Sequence, residues 1–146
     1  MTTALSTSEL AAKINEKLPG SITEAGREFL TVKPEALIDV LSYLKSTPGL
    51  EFDYLTSIHA VDQWDYFELV YLLVSISHNH SFKIKTRCQG RDNLSVPSVV
   101  ALYKSANFQE REIFDLMGIR FEGHPNLIRI FLWEGFQGYP LRKDYL

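Results

Sequence analysis

The stretch that decides the fold is residues 67–88, which reads FELVYLLVSISHNHSFKIKTRC. Residues 67–76 are almost continuously apolar, a pattern typical of a strand that is buried on both faces. In residues 82–88, apolar residues alternate with Lys and Arg, which predicts a strand with one buried and one solvated face. The polar residues 77–80 fit a hairpin connection. We therefore predict a β-hairpin of two adjacent strands.

Helices and further strands are predicted on both sides of this hairpin. Before it, the elements are a helix opened by a Ser6/Glu9 capping box and ended by Pro19-Gly20, a strand over 28–33, a helix from Pro34 to Pro48-Gly49, and a strand over 52–60. After it come a short helix over Ser98–Lys104 and a helix over Ala106–Met117, with Gly118 as a left-handed cap. The order predicts an α+β fold, in which helices pack on a small mixed sheet of about four strands.

Composition places the chain among ordinary one-domain proteins. It has 146 residues, of which 45% are apolar and 23% charged, enough to bury one core. A net charge of -3 argues against nucleic acid as a partner. The single cysteine, Cys88, excludes an internal disulfide and a multi-cysteine cluster, and favours a reducing compartment. The N-terminus predicts no signal peptide, and 67–76 is too short to span a membrane.

The C-terminal residues 119–146 combine two properties that seldom occur together. Glycines and prolines interrupt any helical period, yet the stretch is rich in Phe, Leu, Ile, Trp and Tyr, unlike a disordered tail. We predict an α+β domain over 1–118 and an extended irregular arm over 119–146. The apolar groups of the arm are expected to be buried against this domain or against another protein, and the small size of the domain favours a partner.

Two motifs lie within and after the last helix. Residues 108–127 read FQEREIFDLMGIRFEGHPNL, followed by Arg129-Ile130, and residues 140–145 read PLRKDY. Together they resemble the hallmark of the respiratory complex I 30-kDa subunit family, the C-type subunit of NADH-quinone oxidoreductase. The resemblance covers about 29–145 and leaves the first helix unsupported. Two departures are Phe108, where the family usually has Trp, and Phe136-Gln137, where Trp-Glu is common.

The resemblance implies a non-catalytic structural subunit in the hydrophilic arm of a proton-pumping NADH:quinone oxidoreductase. The expected partner is the 49-kDa (D-type) homologue. NADH, FMN, iron-sulfur clusters and quinone are expected in other subunits, so the isolated chain is expected to be inactive. The expected location is peripheral, on the cytoplasmic side of the membrane or its organelle equivalent. Many relatives continue beyond an Asp-Tyr-Pro run, so a chain that stops at Leu146 is expected to have a smaller footprint on its neighbour.

The same resemblance indicates which residues form the family motif and the partner interface, with no catalytic, cofactor-binding or metal residue among them. These residues are Glu110, Arg111, Glu112, Asp115, Gly118, Gly123, His124, Pro125, Arg129, Pro140, Leu141, Arg142, Lys143 and Asp144. Equivalent subunits of plastid-type NDH complexes, membrane-bound hydrogenases and coenzyme F420-linked dehydrogenases are similar to this family and remain alternatives.

The charged helix residues 110–115 allow an acid/base site or a structural role. Carboxylates at neighbouring helix positions diverge, whereas acid/base pairs must converge. Arg111 and Asp115 are four residues apart and are predicted to pair across one turn. We therefore predict buried or interfacial pairing with the arm, and expect Arg111→Ala to lower assembly.

The histidines are the candidates for a metal site. His124, between Gly123 and Pro125, is predicted to occupy a tight turn, because no second ligand follows at zinc spacing. His78 and His80, with His59 and Asp62 nearby in sequence, are the better metal candidates, although a polar hairpin loop explains them more simply.

Three further features have two interpretations each. Cys88 is predicted to be a buried core thiol and not a nucleophile. The Lys/Arg face of 82–88 is either solvated or faces an acidic partner. Arg142 and Lys143 suit carboxylates of a neighbouring subunit better than anionic lipid.

The competing hypothesis is a small stand-alone α+β enzyme or metal-binding protein, built around residues 110–115 and the histidines. The apolar arm distinguishes the two, since a free-standing domain has no use for it.

Overall fold

A computed structural model describes residues 3–4, 6–90, 94–133 and 136–144. Over these residues the chain forms eight strands and three α-helices, with a 3₁₀ turn at Pro34–Ala36. In chain order these are β1 (Thr3–Ala4), α1 (Thr7–Lys17), β2 (Ile22–Gly26), β3 (Phe29–Val32), α2 (Leu37–Ser46), β4 (Tyr54–Asp62), β5 (Tyr66–Ser75), β6 (His80–Gln89), β7 (Ser95–Pro97), α3 (Ala106–Met117) and β8 (Arg120–Glu122). The prediction of an α+β fold is confirmed.

The main sheet is mixed, and its strand order is β2-β3-β6-β5-β4. The predicted hairpin is confirmed: β5 and β6 pair antiparallel along their whole length, from Tyr66 opposite Gln89 to Ser75 opposite His80. On its other side, β6 pairs in parallel with β3 and, further along, with the two-residue strand β1. The sheet therefore has two strands, β1 and β2, beyond the four that the sequence predicts.

One face of the sheet carries the hydrophobic core. Along β5, alternate residues from Phe67 to Ser75 are buried, and on β6 the residues at 82, 84, 86 and 88 are buried beside them. Leu10 and Ile14 of α1, four leucine or valine residues of α2, and residues from 94–121 complete the cluster. The core thus lies between this face and the helices, as in a two-layer α+β domain.

The opposite face of the sheet is less covered, and we call it the open face. It is formed by the alternate residues Val70, Leu72 and Val74 of β5 and Lys83 and Lys85 of β6, of which Lys83 is exposed and the others half-buried. The prediction that β5 is buried on both faces is therefore wrong for this chain alone. The outer-face residues Val70, Leu72 and Val74 of β5 are apolar, but their burial is incomplete.

The segment before α3 also differs from the prediction. Residues 98–104 form hydrogen-bonded turns and no helix, and the Glu110 side chain binds Ser98 Oγ and the Val99 N–H at their start. β7 and β8 form a small parallel pair, with Val96 opposite Phe121. Hence the first residues after Ile119, predicted to be irregular, are a strand that pairs with the domain.

Helix α3 lies along the edge strand β4. The Ile58 N–H donates to Gln109 Oε1 at 2.7 Å, and Ser105 Oγ donates to the Leu55 carbonyl at 2.9 Å. The helix ends as predicted at Gly118, whose φ of 77° is left-handed. The predicted Ser6 capping box is not made, because Ser6 Oγ contacts Ser8 Oγ instead.

Within the part of the chain that the structure describes, the helices are too short and too polar to cross a bilayer.

Candidate functional site

The C-terminal segment (residues 123–144, described at 123–133 and 136–144) is anchored to the domain by one carboxylate. Asp115 on α3 is fully buried and accepts the Arg129 Nε–H at 2.6 Å. The same carboxylate accepts the backbone N–H groups of Ile130, Phe131 and Leu132 at 3.2, 2.7 and 3.2 Å. Four bonds from consecutive residues fix this part of the segment on the helix.

Arg129 extends the anchor along the segment. Its Nη1 donates to the Phe136 carbonyl at 2.6 Å, and its Nη2 donates to the carbonyls of Asp115 and Gly138 at 2.6 and 2.8 Å. The guanidinium also lies over the Tyr139 ring, 5.1 Å from its centre. Arg129 therefore joins both described parts of the segment to α3.

The prediction that Arg111 pairs with Asp115 is wrong. Helix spacing brings the two residues to adjacent turns, but the Asp115 carboxylate is filled by Arg129 and by backbone donors. Arg111 instead places Nε 3.5 Å from the Ile128 carbonyl, a weak contact with the same segment. A spacing rule for isolated helices is thus overridden by the returning chain.

The environment of Asp115 keeps it charged. Burial would raise its pKa, but the bonds from Arg129 and from the backbone N–H groups of 130–132 outweigh burial and hold the pKa below its usual 3.8. The anchor is therefore complete above about pH 4 and is lost as the pH falls through the lowered pKa.

A second attachment lies at the C-terminal end of α3. Arg142 Nε donates to the Met117 carbonyl at 2.6 Å, and the Leu141 N–H donates to the Leu116 carbonyl at 3.0 Å. Arg142 also lies over the rings of Tyr139 and Phe67. Arg142, predicted to reach a neighbouring subunit, thus contacts its own domain here.

Gly118 permits this close approach. A Cβ at Gly118 would lie 2.7 Å from Arg142 Nη2 and from the Tyr139 ring. The backbone there is also left-handed, a conformation that costs other residues about 1–2 kcal/mol. The glycine therefore has two physical reasons to be there.

Asp62 provides a third attachment. Its Oδ2 accepts the Lys143 N–H at 2.9 Å, and its Oδ1 accepts the Trp64 N–H at 2.9 Å. Lys143 Nζ lies 6.0 Å from the centre of the Trp64 ring. Neighbouring Asp144 and Lys143 are exposed, while Pro140 is half-buried. The sequence contained a signal for Asp62: in the alternation of β4 it occupies a core-facing position after Ile58 and Ala60.

The turn at 123–126 has the predicted form. Gly123 has a φ of 84°, and the Asn126 N–H donates to His124 Nδ1 at 2.9 Å. His124 Nε2 lies 3.0 Å from the Asn107 carbonyl, so a proton on Nε2 satisfies both contacts. His124 thereby attaches the turn, which includes Pro125, to the first turn of α3.

Several large apolar side chains of the segment face away from its polar anchors. Leu127 packs against the core, as does buried Phe121 of the preceding strand β8. In contrast, four large side chains are between 52% and 69% exposed: Ile128, Phe131, Leu141 and Trp133. Exposed Phe108 of α3 meets Phe131 edge-on, with ring centres 6.1 Å apart. The segment thus holds to its domain by polar groups and presents an apolar surface outward.

Glu110 and Glu112 do not join this arrangement. Glu110 is fully buried, and it accepts Ser98 Oγ–H at 2.6 Å and the Val99 N–H at 2.8 Å. Burial raises the pKa of Glu110 to about 7, although these two bonds oppose the rise. Glu112 is exposed and lines a cleft of about 250 Å³ together with Leu141 and others. The carboxylates therefore diverge, as predicted.

The remaining candidates are dispersed. His78 Nε2 lies 2.8 Å from Glu51 Oε1, and its ring stacks with His80 at 6.1 Å. His59 is exposed, and Asp62 is occupied by backbone donors. Among the described residues, no three His, Cys, Asp or Glu side chains come together as a metal site. Cys88 is buried as predicted, and burial raises the pKa of its thiol to about 11.

The fold and the anchored segment define an α+β domain that carries an outward-facing apolar C-terminal surface. The family model "Respiratory-chain NADH dehydrogenase, 30 Kd subunit" matches residues 30–146. The chain belongs to this family, as the two motifs predict.

Relatives and a solved structure agree with this assignment. The chain is similar to the C 2 subunit of NADH-quinone oxidoreductase from Rhizobium meliloti, with 43% identity over 78% of this chain and 63% of the relative. It is 41% identical to the C subunit of the same oxidoreductase from Dinoroseobacter shibae, over 99% of this chain and 69% of that protein. The chain thus spans about two thirds of these relatives. A chain of the membrane-bound sulfane sulfur reductase, an archaeal respiratory membrane complex, matches with a TM-score of 0.78 and 28% identity, covering 94% of this chain and 84% of that one.

Proposed function

We propose that the chain is a non-catalytic structural subunit in the hydrophilic arm of a complex I-type NADH:quinone oxidoreductase. Its C-terminal segment binds the 49-kDa (D-type) homologue. The observation that carries the proposal is the packing of the segment, in which Arg129 faces the domain and pairs with Asp115 of α3 while Phe131 and Trp133 face outward.

The exposed side chains have the chemistry of a protein interface. Trp133 and Phe136 meet edge-on at 4.7 Å, and Phe131 packs in the same way on Phe108. Aromatic residues of this kind supply much of the binding energy in protein interfaces. Contiguous apolar surface is uncommon on monomers and marks interaction sites.

The anchors favour binding because they order the segment beforehand. A disordered segment would lose conformational entropy when it docks, which lowers affinity. Here Asp115 already holds Arg129 and the N–H groups of 130–132 in one arrangement. The apolar side chains are thus presented from a fixed backbone.

The cofactors are proposed to belong to the rest of the assembly. In this proposal NADH, FMN, iron-sulfur clusters and quinone are bound by other subunits, and the complex lies at the cytoplasmic face of the membrane or the organelle equivalent. The buried thiol of Cys88 fits a structural role. The purified chain is expected to oxidise no NADH with an artificial electron acceptor, and measurable turnover would contradict the proposal.

The interface is tested by changing the exposed side chains alone. The double variant Phe131→Ser, Trp133→Ser is expected to fold normally and to lose at least about tenfold in co-purification with the 49-kDa homologue from native membranes. The control is Ile76→Ser, since Ile76 is 67% exposed in the turn that follows β5. Full co-purification of the double variant would count against the proposal.

The structural similarity to a sulfane sulfur reductase chain favours one alternative, an equivalent subunit of a related respiratory complex. Membership in a hydrogenase-like or coenzyme F420-linked complex is the same kind of alternative. Mass-spectrometric identification of the other co-purified subunits distinguishes these assemblies, because only a complex I-type assembly contains the NADH-binding subunit.

A further inference from the structure

The open face of the sheet presents two rows of different character. Val70, Leu72 and Val74 form an apolar row on β5, flanked on β4 by exposed Tyr54. On β6, Lys83 lies opposite Leu72 and Lys85 lies opposite Val70, followed by Arg87 opposite Glu68. An apolar row thus runs beside a cationic row, on the face of the sheet opposite to Phe67, which Arg142 of the C-terminal segment contacts.

The sequence of β5 fits a strand that is covered on both sides. Residues 69–74 are Leu, Val, Tyr, Leu, Leu and Val, without the polar alternation that β6 shows. Strands of this kind are normally buried on both faces. In this chain only the core-facing residues are fully buried, so the outer row is more apolar than its exposure requires.

The cationic row is only partly neutralised. The Glu68 carboxylate forms ion pairs with both Lys85, at 3.7 Å, and Arg87, at 3.4 Å. Arg87 also pairs with Glu24 at 2.8 Å. Lys85 lies 3.9 Å from the centre of the Phe29 ring, which holds it in place. Within the described ranges, the ammonium group of Lys83 has no side-chain partner. The row therefore carries an uncompensated positive charge at Lys83.

We propose that the open face binds an amphipathic α-helix of a neighbouring subunit, whose apolar side packs on Val70, Leu72 and Val74 and whose acidic residues pair with Lys83. The positive charge of the β6 row favours acidic side chains on the partner helix, and the apolar β5 row favours apolar side chains on it. The interface is separate from the C-terminal surface.

A helix fits this face by its dimensions. The rows on β5 and β6 are about 4.8 Å apart, the spacing of neighbouring strands. A helix with side chains is about 10–12 Å across and covers both rows at once. Because β5 and β6 are interior strands, their backbone groups are already paired, and a partner contacts side chains only.

A second copy of this chain fits less well. Stacking two open faces would bring the Lys83 and Lys85 rows close to each other, and like charges across an interface oppose association. An acidic helix removes the same charge instead.

The inference rests on the proposed function only in that the chain works within a multi-subunit assembly. Its test uses Lys83 and leaves the C-terminal segment unchanged, so the two proposals fail separately. If the double variant Phe131→Ser, Trp133→Ser no longer co-purifies with the 49-kDa homologue, that result does not determine how Lys83 is labelled.

The experiment compares the acetylation of lysines in the native complex and in the isolated full chain. An ion pair and partial burial are expected to slow acetylation of Lys83 about tenfold in the complex. Lys13, exposed on α1 on the other side of the sheet, is the control and is expected to react similarly in both. Equal reactivity of Lys83 in both states overturns the inference.

Zero-length carbodiimide cross-linking then identifies the occupant. The expected product joins Lys83 to an Asp or Glu on a helix of another subunit. A cross-link to a second copy of the chain overturns the proposed occupant. The proposal is also overturned if no cross-link forms and the protection of Lys83 from acetylation disappears when lipid is removed. The variant Lys83→Glu is expected to abolish the cross-link and weaken retention in salt-washed complex, whereas Lys13→Glu leaves both unchanged.

Discussion

The sheet domain and the C-terminal segment use similar amino acids in opposite ways. In the domain, the core is made of leucine, valine, phenylalanine and other apolar residues, and most charged groups lie outside it, so apolar burial holds the fold together. In the segment, Arg129 faces inward and pairs with buried Asp115 of α3, while Ile128 and Trp133 are exposed. The segment is therefore held mainly by polar bonds to its own domain, while several of its large apolar side chains stay exposed.

The largest effect on the docking of the segment is expected for Asp115→Ala. It removes four acceptor contacts and leaves Arg129 partly buried without its carboxylate, at a cost of about 3–5 kcal/mol in docking the segment. Hydrogen exchange is expected to show loss of protection at the amides of Ile130–Leu132, with the sheet amides unchanged. Glu112→Ala, exposed on the same helix, is the control. Unchanged protection at 130–132 would show that other contacts hold the segment.

A second test uses Glu110, the other buried carboxylate of α3. Its folded pKa of about 7 exceeds the usual 4.5, so the folded state keeps a proton that the unfolded state releases. The free energy of unfolding is therefore expected to fall by about 3 kcal/mol as the pH rises from 4.5 to 7. This is opposite in sign to the effect of Asp115.

Glu110→Gln should remove this pH dependence, because the amide keeps an acceptor for the Val99 N–H and a donor for Ser98 Oγ. Urea denaturation between about pH 5 and pH 8 measures the slope. Glu112→Gln is expected to keep the wild-type slope. If Glu110→Gln kept the wild-type slope of unfolding free energy against pH, the group that titrates would be one other than Glu110.

Gly118→Ala is expected to have an intermediate effect. Left-handed backbone costs an alanine about 1–2 kcal/mol, and the new Cβ would displace Tyr139 and Arg142. Gly49→Ala is a matched control, since Gly49 has a φ of 89° and open space around it. Both variants should lower the melting temperature, but only Gly118→Ala should increase trypsin cleavage after Arg142. Equal cleavage in the two would rule out the steric part of this argument.

The smallest effect on stability is expected for Ile128→Ser. The side chain is 52% exposed, so the free energy of unfolding of the isolated chain should change by less than about 0.5 kcal/mol. The same change at fully buried Ile14 should cost about 2–5 kcal/mol. Chemical denaturation measures both. A large cost at Ile128 would mean that the segment is also held by apolar burial.

The sequence predicted those parts of the fold that local patterns determine. The alternation of 82–88 and the run 67–76 indicated the β5–β6 hairpin, and Gly118 marked the end of α3. The strands β1, β2, β7 and β8 were missed, because segments of two to five residues have too little periodicity to detect. The predicted helix over 98–104 was wrong, because so short a segment has too little periodicity to distinguish a helix from hydrogen-bonded turns.

The sequence predicted which residues belong to the candidate site, but only some of the contacts between them. Asp115 and Arg129 were both in the motif, but their pairing joins positions 14 residues apart through irregular backbone. Helix spacing instead pointed to Arg111, four residues away. The division of the chain at residue 118 stays a prediction, as does the role of the segment in binding a partner.

The contact between α3 and β4 has a consequence for how the chain avoids self-association. The edge strand has outward N–H and C=O groups that would otherwise template pairing with another chain. Gln109 and Ser105 occupy two of these groups at Ile58 and Leu55, so the folded helix caps the sheet. Before α3 docks, the β4 edge is open, so we expect edge-to-edge pairing through β4 to occur mainly in partly folded chains.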